Sequence, residues 1–109
     1  MTTKAQLIFC TCPNRTSAKQ IANMLLDKRL AACINIISEV ESRFFWQGKI
    51  ESETEVMLKI KTKASLFESI NQAIKAIHPY DVPEVIGIDI QQIDADYLAW
   101  LEQSVETAS

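Results

Sequence analysis

Hydrophobic positions along the chain follow the patterns of strands and of helices, and the first two segments give one example of each. Residues 5–12 contain four consecutive apolar residues, Leu7 to Cys10, which is typical of a strand covered on both faces, and Pro13 ends the strand. Apolar residues then recur at helical spacing as far as about Arg29. Asn14 is the expected N-cap of that helix, with Thr16 as the competing candidate. The pattern predicts a strand followed by an amphipathic helix.

The middle of the chain predicts a long β-hairpin. Residues 30–46 are β-prone, with polar positions at 38–42 that fit an extended chain or a bulge, and residues 47–49 fit a turn. In the return strand, one face carries Val56, Leu58 and Ile60. The hairpin is longer than one small domain needs. Its tip, residues 44–46, carries three adjacent aromatic side chains, which we expect to pack internally or against a neighbouring subunit.

A second helix and a fourth strand follow the hairpin. Ser65 and Glu68 have the spacing of a capping box, and the apolar stripe behind them runs to Ile77. Pro79 ends this helix, which places His78 in or just after its last turn. The next strand alternates, which predicts one buried face formed by Ile86, Ile88 and Ile90. Asp94 or Asp96 is then the expected cap of a short final helix.

The element order is β-α-β-β-α-β plus a short helix, which predicts an α+β, ferredoxin-like fold. The 109 residues are expected to form a single domain, residues 1–109, that frays after about Ser104.

Charge and cysteine content exclude several classes of protein. The net charge is −3, with basic and acidic residues interspersed, so no nucleic-acid partner is expected. No apolar run approaches the roughly 20 residues needed to span a bilayer, so no membrane is expected either. The first residues lack a secretory pattern, which predicts a cytoplasmic protein. The odd count of three cysteines then predicts free thiols.

The segment from Ile77 to Glu84 is the first place to expect a site, because it holds the one histidine beside two prolines. Cys10 and Cys12 lie two apart in a strand and therefore point to the same face. Two thiolates and the His78 imidazole suit copper or zinc, and oxygen ligands are available from Glu84, Asp81 or Glu39. The competing interpretation is that Cys10 and Cys33 are core residues. His78 would then only cap its helix.

Two other kinds of site use overlapping residues. Cys–His nucleophilic catalysis has the required residue types but lacks a glycine-rich elbow or oxyanion motif. A small-anion or nucleotide pocket between subunits is the second, with Lys59, Lys61, Tyr80 and Trp100 as its lining. The competing interpretation makes these lysines a solvated strand face and Trp100 a core residue.

Five motifs, taken together and in order, resemble the CutA family of divalent-cation tolerance proteins. They are Thr11-Cys12-Pro13-Asn14, Lys28–Asn35, Trp46–Ile50, His78–Glu84 and Asp96–Leu101. The resemblance covers nearly the whole chain. It implies a homotrimer in which long hairpins pair across subunits, an architecture similar to that of the PII-type signalling proteins. It also implies no enzymatic activity and no obligatory cofactor, with copper or another divalent metal ion as the ligand.

The resemblance also assigns residues to a copper site. Cys10 matches the family's cysteine, and His78 matches the second of two adjacent histidines. Ile77 stands where the first histidine is found, and because it fits the apolar stripe we expect it in the core. Cys12 is a hypothetical substitute ligand, and Glu84 is a weaker one.

The leading prediction is therefore a non-catalytic homotrimer that binds copper or another divalent metal. The alternative is a PII-like sensor that binds a small ligand in inter-subunit clefts, with Lys61, Tyr80 and Trp100 as cleft residues, and signals to an unidentified protein partner. A third possibility is a stable trimeric scaffold with no ligand of its own.

Overall fold

A computed structural model describes residues 4–105. Its elements are β1 (Ala5–Cys12), α1 (Arg15–Asp27), β2 (Cys33–Trp46), β3 (Lys49–Lys63), α2 (Phe67–Ile77), β4 (Ile86–Asp89) and α3 (Ala95–Ser104). A 3₁₀ turn, Ala64–Leu66, joins β3 to α2. The described strands form one antiparallel sheet in the order β2-β3-β1-β4. The predicted α+β, ferredoxin-like arrangement is confirmed.

Both ends of α1 follow from local hydrogen bonding. Asn14 is the N-cap, and its side-chain oxygen accepts from the Ser17 N–H at 2.8 Å. At the other end Arg29 has a left-handed φ of 57°, and the Leu30 N–H donates to the Leu25 carbonyl at 2.9 Å. This is a Schellman ending, which reverses the chain sharply. The second strand therefore begins at Cys33, and the prediction that it begins at residue 30 was wrong.

The hairpin contains the predicted turn, and of the two alternatives for residues 38–42 it contains the bulge. Gln47 and Gly48 have φ values of 52° and 79°, as a type I′ turn requires. The register of β2 on β3 shifts between Ile37 and Val40, and Glu39 lies at the shift with a φ of 60°. As far as Ile37, odd-numbered residues of β2 pair with odd-numbered residues of β3. From Val40 onwards, even-numbered residues of β2 pair with odd-numbered residues of β3, because the bulge adds one residue to β2.

One side of the sheet, here called the helix-covered face, is closed within the chain. Its strand residues are Ile8, Cys10, Cys12, Leu58 and Ile60, and they form one buried cluster with Ile21 and Leu25 of α1 and Ile70 and Ile74 of α2. Burying each aliphatic side chain stabilises the fold by about 1.5–3 kcal/mol. This face contains the main hydrophobic core.

The opposite side, here called the open face, carries the alternate residues. They include Leu7, Phe9, Ile86 and Ile88, together with Glu55, Lys59 and Lys61. Ile86 and Ile88 are 50% and 52% exposed, so the predicted buried face of β4 was wrong for the single chain. Gly87 points to the other side, where a Cβ would lie 2.8 Å from the Gln6 side chain. The isoleucines therefore face away from the helices, and nothing in this chain buries them fully.

Two predictions for α2 were also wrong. Ser65 lies in the 3₁₀ turn, and the N-cap position of α2 is Leu66, which makes no side-chain cap. Glu68 instead accepts a hydrogen bond from Gln72 at 2.9 Å. At the other end, Ile77 is 48% exposed rather than in the core. It is the last residue of the helix and lies beyond the part of the stripe that packs on the sheet.

The predicted fraying after Ser104 concerns residues 106–109, which lie outside the described residues, whereas Val105 is buried. Over residues 4–105, no helix has both the length and the apolar character needed to cross a membrane.

Candidate metal centre

Strand β1 places two thiols side by side on the helix-covered face. Cys10 and Cys12 are both fully buried, as expected for residues two apart in a strand. The ligand atoms of Cys10, Cys12 and His78 all lie within 4.8 Å of one another. The structure therefore brings together the three residues that sequence analysis had grouped. Cys33 is only half-buried and is not a member of this group.

The end of α2 and the short length of β4 together position His78. His78 is the C-cap of α2, with extended backbone angles, and its N–H donates to the Ile74 carbonyl at 2.8 Å. β4 pairs with β1 only from Gln6 to Phe9, which leaves that edge of β1 unpaired by β4 beyond Phe9. The imidazole reaches this edge, where its Nε2 lies 2.8 Å from the Thr11 carbonyl oxygen.

Both ring nitrogens of His78 have backbone partners. The Tyr80 N–H donates to Nδ1 at 3.0 Å, while the partner of Nε2 is the Thr11 carbonyl, which can only accept. A neutral imidazole has one donor and one acceptor nitrogen, so the proton lies on Nε2. The ring does not cap helix carbonyls, so the simple capping interpretation was wrong.

The pKa values of the two thiols are shifted in opposite directions, although the Cys10 thiol itself donates to the Thr11 carbonyl at 3.8 Å. Its interaction with the neighbouring Cys12 side chain raises the pKa of Cys10, and burial raises it further. The same interaction lowers the pKa of Cys12. Cys12 is therefore the first of the pair to ionise, and Cys10 holds its proton.

This donor set fits a soft metal ion, with one condition. Thiolate and imidazole ligands suit Cu(I) and Zn²⁺. With a metal–sulfur bond of about 2.3 Å, two sulfurs on one ion lie at most roughly 4.6 Å apart. The cluster is thus close to coordinating dimensions. The condition is that His78 must release at least one of its two backbone hydrogen bonds before a nitrogen can bind metal.

A cavity of about 1000 Å³ lies beside the cluster, at the end of the open face. Thr11 and Tyr80 line it, together with Phe44 and Trp46 from the hairpin and the carboxylates Glu51, Glu53, Glu55, Asp81 and Glu84. The Tyr80 hydroxyl donates to Glu55 at 2.7 Å. Burial raises the pKa of Tyr80, and its bond to Glu55 raises it further. Tyr80 therefore contacts both His78 and the cavity wall.

None of the three predicted oxygen ligands belongs to the cluster of cysteine and histidine side chains. Glu84 lines the cavity, and burial raises its pKa, with a smaller contribution from the charge of Glu55. Asp81 lines the same cavity, and Glu39 is exposed at the bulge of β2.

The predicted cleft residues fall into two groups. Tyr80 lines the acidic cavity, whereas Lys61 and Trp100 do not. The Lys61 ammonium donates to the Tyr97 hydroxyl at 3.2 Å, and the Tyr97 and Trp100 rings lie 5.4 Å apart. Trp100 is 45% exposed, so its interpretation as a core residue was wrong for the single chain.

Sequence analysis missed two groups at this site. Glu55 lies outside the apolar face predicted for the return strand, yet it is buried and accepts a hydrogen bond from Tyr80, which is 25 residues away. The Thr11 carbonyl is a backbone group, and only the short length of β4 makes it available to His78. Neither feature has a local sequence pattern.

Comparison with known proteins agrees with the resemblance found in the motifs. Residues 6–104 match the family described as CutA1 divalent ion tolerance protein. This chain belongs to that family.

The relatives of this CutA1-family chain differ in length. Protein CutA of Mus musculus is 44% identical over 101 residues, which are 93% of this chain and 57% of the mouse protein. The divalent-cation tolerance protein CutA of Pectobacterium atrosepticum is 39% identical, over 93% of this chain and 92% of its own length. The crystal structure of CutA1 from Oryza sativa superimposes with a TM-score of 0.94 at 37% identity, covering 98% of each chain.

Proposed function

We propose that this chain binds a soft metal ion, copper or zinc, at Cys10, Cys12 and His78, as a non-catalytic protein of divalent-cation tolerance. One observation carries the proposal: three metal-ligating side chains from two distant segments converge, fully or almost fully buried, within 4.8 Å. Buried thiols with an imidazole at this spacing suit a soft ion better than a hard, oxygen-seeking one. The match to a family described by divalent ion tolerance supports a function that involves metal ions.

Each of the three side chains would supply one donor atom to the metal ion. Cys12 supplies the sulfur that ionises first, Cys10 gives up its proton as the metal binds, and His78 supplies one nitrogen. Metal uptake should therefore release protons and weaken at low pH. Glu84 lies in the neighbouring cavity and acts at most as an outer residue. Ile77 offers no donor atom, so the site differs here from the family's histidine pair.

Native mass spectrometry of metal-stripped, tag-free protein tests this proposal. Adding Cu(I) under anaerobic conditions, or Zn²⁺, should give one ion per chain. Cys12→Ala and His78→Ala should each weaken uptake by at least about tenfold, with circular dichroism to verify folding. The matched control is Cys33→Ala, which removes the thiol outside the cluster and should bind normally. Uptake that survives Cys12→Ala, or is lost in Cys33→Ala, would reject the site.

We also propose a homotrimer whose chains each use residues 1–109 as a single domain. The half-exposed isoleucines of β4, beside Phe9 on the open face, support association through that face. A cytoplasmic location is part of the proposal, because free cysteines suit a reducing compartment. Light scattering at micromolar concentration tests the assembly, and a mass of one chain would reject it.

A PII-like sensor remains the second candidate, on the basis of the group around Lys61. Within residues 4–105 Lys61 has no ion-pair partner, and its ammonium lies 5.5 Å from the centre of the Tyr97 ring, near Trp100. A cation beside an exposed aromatic ring, which itself packs on a second exposed ring, suits an anionic, ring-bearing metabolite such as a nucleotide. Metal-free ATP should then raise the melting temperature, and Lys61→Met should abolish the rise. No response to metal or nucleotide would leave a trimeric scaffold without a ligand.

A further inference from the structure

The two hydrogen bonds of His78 constrain what metal binding must do to its neighbours. Nε2 donates to the Thr11 carbonyl, and Nδ1 accepts from the Tyr80 N–H. A metal ion needs the lone pair of one ring nitrogen, and the other nitrogen then carries the proton of a neutral imidazole. Two arrangements are therefore available to a metal-bound His78.

Both arrangements break the same contact. If the metal binds Nδ1, it takes the lone pair that the Tyr80 N–H now uses. If the metal binds Nε2, the proton moves to Nδ1, and Nδ1–H then faces the Tyr80 N–H as donor against donor. The bond from Tyr80 to His78 is lost in either case, while the contact with Thr11 is lost only in the second. The conclusion is independent of which nitrogen lies nearer the sulfurs.

We propose that Tyr80 couples metal occupancy of the Cys10–Cys12–His78 cluster to the acidic cavity on the open face. Metal binding to His78 displaces the Tyr80 amide, and the movement of Tyr80 releases its hydroxyl from Glu55. This inference rests on the proposed metal site and assigns Tyr80 a positioning role rather than a ligand role.

The contacts of Tyr80 support this coupling. Its amide lies 3.0 Å from Nδ1, its ring centroid lies 5.0 Å from that of His78, and its hydroxyl lies 2.7 Å from Glu55. Glu55 belongs to β3, the return strand of the long hairpin. Tyr80 is thus one residue with contacts on both sides of the end of the sheet. A change at the buried cluster can reach the hairpin through it.

Nuclear magnetic resonance reads this change directly, because the chain has one histidine and therefore one imidazole spin system. Long-range ¹H–¹⁵N spectra of the stripped protein should show the Nε2–H tautomer. Adding Cu(I) anaerobically, or Zn²⁺, should shift the metal-bound nitrogen. It should also speed hydrogen exchange at the Tyr80 amide by roughly two- to tenfold, because a protecting hydrogen bond is lost. Metal-bound protein with an unchanged Tyr80 amide would overturn the coupling alone.

Tyr80→Phe supplies the second test, since coupling between sites is reciprocal. The variant keeps the amide but loses the bond to Glu55, which holds Tyr80 in its metal-free position. Metal affinity should therefore rise by roughly two- to tenfold while the melting temperature falls. Tyr97→Phe is the matched control, because its hydroxyl contacts Lys61 instead, and its metal affinity should be unchanged.

The possible results separate the two proposals. Affinity that falls together with stability in Tyr80→Phe would mean that Tyr80 only supports the fold, and the coupling would be rejected. Absence of metal uptake by the wild-type chain would overturn the metal site and the coupling together.

Discussion

The two faces of the sheet are built from the same strands and differ in what covers them. On the helix-covered face, side chains such as Leu58 and Ile60 are fully buried against α1 and α2. On the open face, Ile86 and Ile88 of β4 remain half exposed, and a cavity lined by carboxylates lies near the hairpin. One face is completed within the chain, and the other has the composition of a surface that a neighbouring chain would cover.

Substitutions on the helix-covered face should therefore act on the stability of the single chain, and substitutions on the open face on the assembly of chains. The proposed metal ligands Cys10 and Cys12 belong to the helix-covered face, so their geometry is set by the core of a single chain. The residues proposed for self-association belong to the open face, and changes there should act on the oligomer first. Tyr80 contacts both His78, beside the cluster, and Glu55, on the open face.

The largest effect is expected from truncating a core side chain under the helices. Ile74→Ala should lower the free energy of unfolding by about 2–5 kcal/mol, because it leaves a cavity among fully buried neighbours. Ile77→Ala is the matched control, with the same substitution one turn along the same helix at a half-exposed position. It should cost less than about 1 kcal/mol. Urea unfolding measures both, and equal losses would mean that another chain covers Ile77.

The next prediction concerns the open face. Ile88→Lys should dissociate the proposed trimer, because a charge placed in an apolar interface has no partner there. Light scattering should give the mass of one chain, about a third of the wild-type value. Leu26→Lys on α1 is the control, since Leu26 is also exposed but lies on a helix. A variant Ile88→Lys that keeps the wild-type mass would place the subunit interface elsewhere.

A smaller effect on stability is expected at the N-cap of α1, one of the two helices that cover the sheet. Asn14→Ala removes the cap of α1 and should lower the free energy of unfolding by about 1 kcal/mol. Thr16→Ala, two residues along, removes the competing candidate and should change it by less than about 0.5 kcal/mol. Thermal unfolding of the two variants decides between the two caps, and the opposite order of stability would favour Thr16.

Sequence patterns predicted the elements whose rules are local. The cap at Asn14, the turn at Gln47 and Gly48, and the stop before Pro79 each depend on a few neighbouring residues. That Cys10 and Cys12 point to the same face of the sheet follows from strand alternation alone. The approach of His78 to them was a hypothesis from the residue types, and the fold supplies the proximity.

Other features depend on parts of the fold that no local pattern specifies. Ser65 and Glu68 had capping-box spacing, but the 3₁₀ turn after β3 moved the helix start past Ser65. The alternation of β4 indicated one apolar face without indicating which side of the sheet it would occupy. Gly87 decides that point, because only its side of the strand lies against the Gln6 and Phe67 side chains. Glu55 was missed for the same reason, since its partner Tyr80 comes from a different element.

The smallest effect is expected at the cavity, where Glu84 titrates. Burial and the charge of Glu55 raise the pKa of Glu84 in the folded chain, so the fold favours its protonated form. Its ionisation therefore destabilises the fold as the pH rises above the ordinary glutamate pKa of about 4.3. Glu84→Gln should be more stable than wild type at pH 7, and the difference should disappear below about pH 4. Melting temperatures across this range measure it, and in a Glu55→Gln background the difference should shrink. A difference that is constant with pH would mean that the substitution acts through packing and not through the charge.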